Sequence, residues 1–319
     1  MKAMQLIERG SPLELREVAM ADPGPGQIRM RVATCGLNFG DLLIIKGTYQ
    51  EKPELPATIG MEFAGTIDAV GEGVTHLAVG QRVAAYAGFG GLAEYAVIDA
   101  AIAVPIPDGM PFDDAAAFLV AYGTSHVALD YKARMQPGER LLVLGASGGV
   151  GLTAVELGKL MGAEVIACAR GPEKLKIAAG AGADHLIDSE GADLRGQVKA
   201  LGGADVVYDP VGGRLFDEAL RATNPNGRLL PLGFASGDVP QIPANILLVK
   251  NLTVIGYYWG GYMRVDPSVL TDSFKVLLGW YAEGKLRPHI SNRLALEDVN
   301  DGLELLKTRK ATGKVIIEI

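Results

Sequence analysis

The chain has 319 residues, of which 49% are hydrophobic and 21% charged, and its formal charge is −7. That length exceeds what one compact core usually holds and suits two domains. The negative balance excludes a basic footprint for nucleic acid and a polybasic patch for anionic lipid.

The opening stretch, "MKAMQLIERGSPLELREV", breaks its apolar residues with charges every few positions, so it reads as neither a signal peptide nor an anchor. No window reaches the roughly 18 uninterrupted apolar residues of a spanning helix. The two cysteines, Cys35 and Cys168, are far apart, which is no disulfide framework and suits a reducing compartment. The expectation is a cytoplasmic protein with no membrane partner.

From Met1 to about Leu119 the chain is rich in Gly and Pro. It holds short β-type runs, "QIRMRVA", "FAGTIDAVG", "QRVAAYA" and "LAEYAVI", each bounded by turn residues. These predict a mostly antiparallel unit. From about Val120 to Gly256 six apolar runs alternate with helical segments: Leu141–Leu144, Glu164–Cys168, His185–Ile187, Asp205–Tyr208, Arg228–Leu232 and Leu252–Ile255. Between the first two, Leu152 to Met161 has the apolar spacing of a helix, and Gly162 stops it. Continuous apolar strands alternating with helices predict a parallel sheet covered on both faces. The fold class is therefore α/β, a doubly wound parallel sheet of the Rossmann type beside a mostly-β unit.

The last section, Tyr257 to Ile319, predicts two helices and a strand. Asp266 and Pro267 start the first helix as N-cap and first helical residue, with Leu270, Phe274, Leu277 and Tyr281 on one face and Gly284 as the stop. The second runs from about Glu297 to Thr308, and "GKVIIEI" ends the chain as a strand. So short a section makes a poor core alone. The expectation is that all of it packs back onto the N-terminal unit, giving one domain of residues 1–119 and 257–319 around another of residues 120–256.

"LGASGGVG" sits between the first strand of the alternation and its helix. In a dinucleotide site one glycine lets the backbone approach a pyrophosphate and the last allows close helix–strand packing. Gly148 and Gly151 take those two roles, and Ala146 stands at the first glycine position. The amides of Gly149, Val150 and Gly151 open the helix, where N–H groups and the dipole attract phosphate. The alternative is a tight turn with no ligand. The second strand ends "VIACARGPEK", with Arg170 at its tip and Lys174 one helical turn on, and without the acid that reads the ribose hydroxyl of NAD. A guanidinium suits a 2′-phosphate, so NADPH is favoured over NADH. The alternative is that both are ordinary solvated charges.

The stretches "CGLNFGDLLIIKGTY", "IGMEFAG", "AYGTSHVAL", "PGERLLVLGASGGVG" and "RKATGKV" together resemble the medium-chain dehydrogenase/reductase superfamily, in its zinc-free, zeta-crystallin-like quinone oxidoreductase branch. The resemblance runs in order over essentially the whole chain. It implies a GroES-like catalytic domain built from both chain ends, with the cofactor bound between it and the Rossmann domain. Zinc alcohol dehydrogenases of the superfamily place Cys and His where this chain has Asn38 and Met61. Cys35 is three residues off the first of these. A thioether does not replace imidazole on zinc, and His76, His126, His185 and His289 are isolated in sequence, so no metal is expected.

Without a Lewis acid, hydride transfer favours acceptors that spread the incoming charge, so quinones or α,β-unsaturated carbonyls are the expected substrates. The resemblance implies that Tyr49 lies beside the nicotinamide and hydrogen-bonds the acceptor oxygen or relays a proton. Water as the proton source, with Tyr49 only shaping the pocket, stands open beside it. Asn38 orients cofactor or substrate, or is a turn residue; Asp41 caps or buttresses its loop. Thr124 is implied to face the nicotinamide. "DPVGG" from Asp209 and "GFASG" from Gly233 lie at carboxyl ends of strands, with Phe234 as a nicotinamide neighbour. Lys310 stands where the family usually has Arg and can pair with phosphate. "YYWGGY", Tyr257 to Tyr262, lines the acceptor pocket or packs as core.

The sixth strand, Leu252–Ile255, is an apolar sheet edge, and the family pairs such edges in a homodimer. Two rivals remain. One is an enoyl-thioester reductase, which would need Arg264, Arg287 and Arg293 to share a groove. The other is a non-catalytic NADPH-binding protein.

Overall fold

The computed structural model describes residues 1–191 and 193–319. The chain divides into two compact units, residues 1–120 with 287–319, and residues 121–286.

The first unit begins with β1 (Lys2–Leu6), β2 (Glu14–Glu17) and the long β3 (Gln27–Leu37). In β3, Ile28, Met30 and Val32 are buried while Gln27, Arg29 and Arg31 are not, the period-two pattern of a strand with one covered face. Helix α1 (Phe39–Lys46) follows, then β4 (Ala57–Thr58), β5 (Glu62–Val70), β6 (Arg82–Tyr86), β7 (Tyr95–Asp99), β8 (Ala103–Pro105) and α2 (Phe112–Ala116). The predicted β runs all fall on strands here. Helix α3 (Leu119–His126) carries the chain from the first unit into the second.

The second unit alternates β9 (Arg140–Leu144), α4 (Gly149–Leu160), β10 (Glu164–Ala169), α5 (Gly171–Gly180), β11 (His185–Asp188), α6 (Leu194–Ala200), β12 (Ala204–Asp209), α7 (Gly213–Ala222), β13 (Thr223–Pro231), α8 (Ala244–Lys250) and β14 (Thr253–Val254). All the strand pairs are parallel, in the order β11-β10-β9-β12-β13-β14. This is the doubly wound order, with its reversal between β9 and β12. Leu142, Leu144, Ile166, Cys168, Val207 and Leu229 form one buried cluster with Phe216 and Leu220 of α7. Each such fully buried aliphatic side chain contributes on the order of 1.5–3 kcal/mol. The predicted sixth strand is shorter than its apolar run, with only Thr253 and Val254 paired to β13.

Helices α9 (Tyr262–Val265) and α10 (Pro267–Ala282) complete the second unit. Asp266 caps α10 as expected, its carboxylate accepting the Ser268 N–H at 3.2 Å. The expected partner of this segment was wrong. Residues 257–286 belong to the second unit, and only residues 287–319 return to the first. Trp259 and Phe274 stack edge to face, and both lie against Gly123, where a Cβ would meet Trp259 at 2.9 Å and Phe274 at 3.1 Å. His126 Nδ1 is bonded to Ser273 Oγ at 2.9 Å. Phe274 and Ser273 of α10 thus lie against α3.

The first unit closes with β15 (Ile290–Ala295), α11 (Val299–Lys307) and β16 (Lys314–Glu318). Strand β16 lies between β15 and β3 in a sheet ordered β15-β16-β3-β5-β6-β8, with β7 also on β3.

Candidate functional site

The loops at the carboxyl ends of β9 and β12 flank the point where the strand order reverses, the place a doubly wound sheet offers a ligand. After β9, Gly145 takes the left-handed turn (φ +62°), so the motif's first position can be Ala146, whose backbone is not left-handed. A Cβ on Gly151 would lie 2.1 Å from the Gly145 carbonyl oxygen, so α4 seats on the turn only with glycine there. A Cβ on Gly148 would meet only that same oxygen, at 3.4 Å, an ordinary contact. Packing therefore leaves Gly148 unconstrained. The amides of Gly149, Val150 and Gly151 fall in the first turn of α4 and have no hydrogen-bond partner among the described residues.

Asp209 ends β12 with its side chain turned into its own loop. Its Oδ1 accepts the amides of Val211 and Gly212 at 2.7 and 2.9 Å. Burial pushes its pKa up to about 6, against those two amides, which lower it. Asp209 is thus a loop former in this structure, and the carboxylate expected to contact the cofactor is engaged by its own turn. The loop from Gly233 is zipped to it: Ala235 N–H donates to the Pro210 carbonyl at 3.1 Å and Ser236 N–H to that of Val211 at 2.9 Å. Phe234 is 41% exposed beside Gly212.

At the tip of β10, Arg170 caps α5, and Lys174 is half-buried one turn along. Arg170 Nε lies 3.3 Å from Glu190 Oε1 in the loop after β11. Thr124 lies in α3, and its carbonyl accepts the Tyr257 hydroxyl at 3.3 Å. Its neighbour Ser125 was missed by sequence reading. The buried Ser125 Oγ donates to the Val150 carbonyl at 2.9 Å and is 2.8 Å from both Thr153 Oγ1 and Tyr208 Oη. This ties the glycine turn to α3 and β12. Of the aromatic run, Trp259 is buried as core, whereas Tyr257 and Tyr262 are half-buried, with ring centroids 6.1 Å apart.

In the first unit, Gly47 ends α1 in the left-handed conformation (φ +78°), and Tyr49 N–H bonds back to the Leu43 carbonyl at 3.2 Å. The Tyr49 ring and the Met61 thioether both lie against Gly40, where a Cβ would meet Met61 Cε at 2.5 Å and Tyr49 Cε2 at 3.5 Å. Asn38 opens α1. Its Nδ2 donates to the Gly36 carbonyl at 3.0 Å and to Glu62 Oε2 at 3.1 Å, and its Oδ1 accepts Lys314 Nζ at 2.7 Å. Both amide donors are therefore engaged inside the unit, one by the Gly36 carbonyl and one by Glu62 of β5. Asp41 accepts the Asn38 N–H at 2.8 Å, the buttressing role predicted for it. Its other oxygen has no partner among the described residues. Burial pushes the Asp41 pKa up to about 7, with the Asn38 N–H and Lys314 opposing.

Glu62 and Lys314 were also missed. Both are buried, 2.9 Å apart, and Glu62 Oε1 accepts the Val120 N–H at 2.8 Å. Each stands at the first residue of its strand, directly before an apolar run, and that was the available signal. Lys310 is exposed beyond α11, with no side-chain partner among the described residues. Arg293 is held by Asp113 in the first unit, whereas Arg264 belongs to the second.

These residues do not fit a zinc ion. Met61 offers a thioether, Glu62 is already paired with Lys314, and Cys35 is a fully buried thiol on β3. Among the described residues no group of three or more His, Cys, Asp or Glu is placed to hold a metal, and no helix is long and apolar enough to cross a membrane.

Residues 24–108 match the alcohol dehydrogenase GroES-like domain, and residues 149–275 the zinc-binding dehydrogenase domain, whose name the donor set here does not follow. The chain is 41% identical to a quinone oxidoreductase-like protein 2 homolog of Nematostella vectensis, over 99% of this chain and 88% of that protein. The Escherichia coli quinone oxidoreductase complexed with NADPH superposes with a TM-score of 0.93 at 29% identity, covering all of both chains. The quinone oxidoreductase of Thermus thermophilus, also solved with NADPH, gives 0.88 at 32% identity over the same full coverage. With a relative of 41% identity over nearly the whole chain and full-length superposition on solved quinone oxidoreductases, the chain belongs to the quinone oxidoreductase branch of the medium-chain dehydrogenase/reductase superfamily.

Proposed function

We propose that this oxidoreductase binds NADPH and transfers hydride, without zinc, to quinones or α,β-unsaturated carbonyls. The observation that carries the reading is the glycine turn. Three amides with no partner among the described residues open α4 at the point where the sheet order reverses, with Arg170 at the tip of the next strand and Lys174 in the helix after it. The amides of Gly149, Val150 and Gly151 would hold the pyrophosphate, Arg170 and Lys174 the 2′-phosphate. The exposed ring of Phe234 would border the nicotinamide, and Lys310 would supply a further positive charge. Bound NADPH supplies the hydride.

The protein's part is orientation and proton supply. Tyr49, fixed by the end of α1, presents the hydroxyl that protonates the reduced acceptor, or holds the water that does. The Asn38–Lys314–Glu62 cluster anchors the start of α1, the helix whose far end Tyr49 follows. The acceptor spreads its negative charge over a conjugated system, so one hydrogen bond is enough where a plain ketone would need a Lewis acid. Two copies are proposed to pair at the β14 edge, beside the exposed Leu248 and Val249 of α8.

The test is NADPH consumption, followed at the reduced-nicotinamide absorbance, with a naphthoquinone and a medium-chain enal side by side. Turnover of either acceptor establishes the reductase, and their ratio assigns the branch. Tight NADPH binding with no turnover would replace this reading by the non-catalytic one.

A further inference from the structure

The tip of β10 lacks the acid that usually reads an unphosphorylated ribose, yet an acid reaches the place from the neighbouring loop. Glu190 follows β11, and its carboxylate lies 3.3 Å from Arg170 Nε. The approach is built into the backbone. Asp188 Oδ1 accepts both the Gly171 amide at 3.1 Å and the Glu190 amide at 3.0 Å, one from each loop. Those two N–H groups hold the Asp188 carboxyl below its usual pKa, so it stays ionised and keeps both bonds. Ser189 N–H donates to the Ala169 carbonyl at 3.0 Å, and Arg214 Nη2 holds the Ser189 carbonyl at 3.0 Å. The loop carrying Glu190 is therefore pinned beside Arg170 from three sides.

The side chains themselves are 52% and 63% exposed, so their pairing is weak and easily exchanged. We propose that Glu190 is a specificity-determining residue: it competes with a nucleotide 2′-phosphate for Arg170, and accepts the 2′-hydroxyl of a ribose that lacks the phosphate. The inference rests on the nucleotide reading above and deepens it. A phosphate near charge −2 takes the guanidinium from a lone carboxylate, because it offers more acceptor oxygens and more charge. It does so against repulsion from the displaced Glu190. An unphosphorylated nucleotide leaves the ion pair intact and gains a hydrogen bond to it. The preference for NADPH is thereby held down, and NADH is admitted.

Equilibrium dissociation constants of NADPH and NADH, read from nicotinamide fluorescence, test this in the wild-type chain, Glu190→Gln and Arg170→Gln. Glu190→Gln is expected to tighten NADPH by about threefold to fivefold and to weaken NADH by about threefold. Arg170→Gln should weaken NADPH by about tenfold or more and change NADH by less than about twofold. If the wild type binds both nucleotides and Glu190→Gln moves neither, or moves both by the same factor, the role of Glu190 is overturned and NADPH binding stands. If the wild type binds neither nucleotide, the nucleotide reading itself fails, and this inference with it.

Discussion

Lys314 and Glu62 are 252 residues apart in sequence and 2.9 Å apart in space, and both are buried. Each charge is tolerable there only because of the other, and Asn38 bonds to both. Removing one partner strands the other. Lys314→Met should cost about 3–5 kcal/mol, whereas Lys314→Met combined with Glu62→Met should recover most of the loss. Thermal unfolding of the three proteins checks this. A single variant as stable as the wild type would show that the pair does not hold the first unit together.

Gly148 and Gly151 separate two demands on one turn. Gly151→Ala drives a methyl group to 2.1 Å from the Gly145 carbonyl oxygen and should lower the melting temperature sharply. Gly148→Ala fits the backbone (φ −81°, ψ 174°) and the space, and should leave stability within about 1 kcal/mol. Its methyl group instead projects where the pyrophosphate is proposed to lie, so NADPH affinity should fall by about tenfold or more. Unchanged affinity in Gly148→Ala would move the phosphate elsewhere.

The raised pKa of Asp41 makes stability depend on pH in an unusual direction. Burial raises it from 3.8 to about 7, so between those values the folded chain holds a proton that the unfolded chain has released. Stability contributed at this site is therefore greatest in acid and declines as pH rises from about 4 to about 7. Asp41→Asn carries no such titration. Its stability relative to the wild type should grow over that range by up to about 4 kcal/mol, an upper bound for a fully buried group. Parallel unfolding curves from pH 4.5 to 8 would sink the assignment.

Tyr49→Phe tests the proton source. With the hydroxyl as donor, kcat on a naphthoquinone should fall by about tenfold to a hundredfold while NADPH affinity stays constant. A kcat within about twofold of wild type would assign the proton to water and leave Tyr49 a shaping role.

The Rossmann unit was legible because its signals are local. Runs such as Leu141–Leu144 and Val206–Tyr208 are apolar throughout, as strands buried on both faces must be, and the glycine turn lies in one heptapeptide. Helix α10 was legible as a helix, since Asp266, Pro267 and Gly284 mark its ends. What it packs against was not. An amphipathic face states that it will be covered, and α10 belongs to the second unit where the β-rich unit was expected. The anchors of the candidate site were hidden for a related reason. Nothing within ten residues of Glu62 or Lys314 predicts the other, and Glu190 reads as one more surface acid until Asp188 is seen to bind both loops.

The place of β16 bears on how the chain is made. The second unit is one continuous stretch, residues 121–286, and every strand of its sheet has emerged from the ribosome before the last strands of the first unit are complete. The first unit has no such independence. Its sheet is interrupted between β15 and β3 until residues 314–318 arrive, and Glu62 has no counter-charge until Lys314 does. The nucleotide-binding half can thus form during synthesis. The half that carries Tyr49 stays open until β16 is in place, and in that interval β3 presents an unpaired edge over Thr34–Leu37.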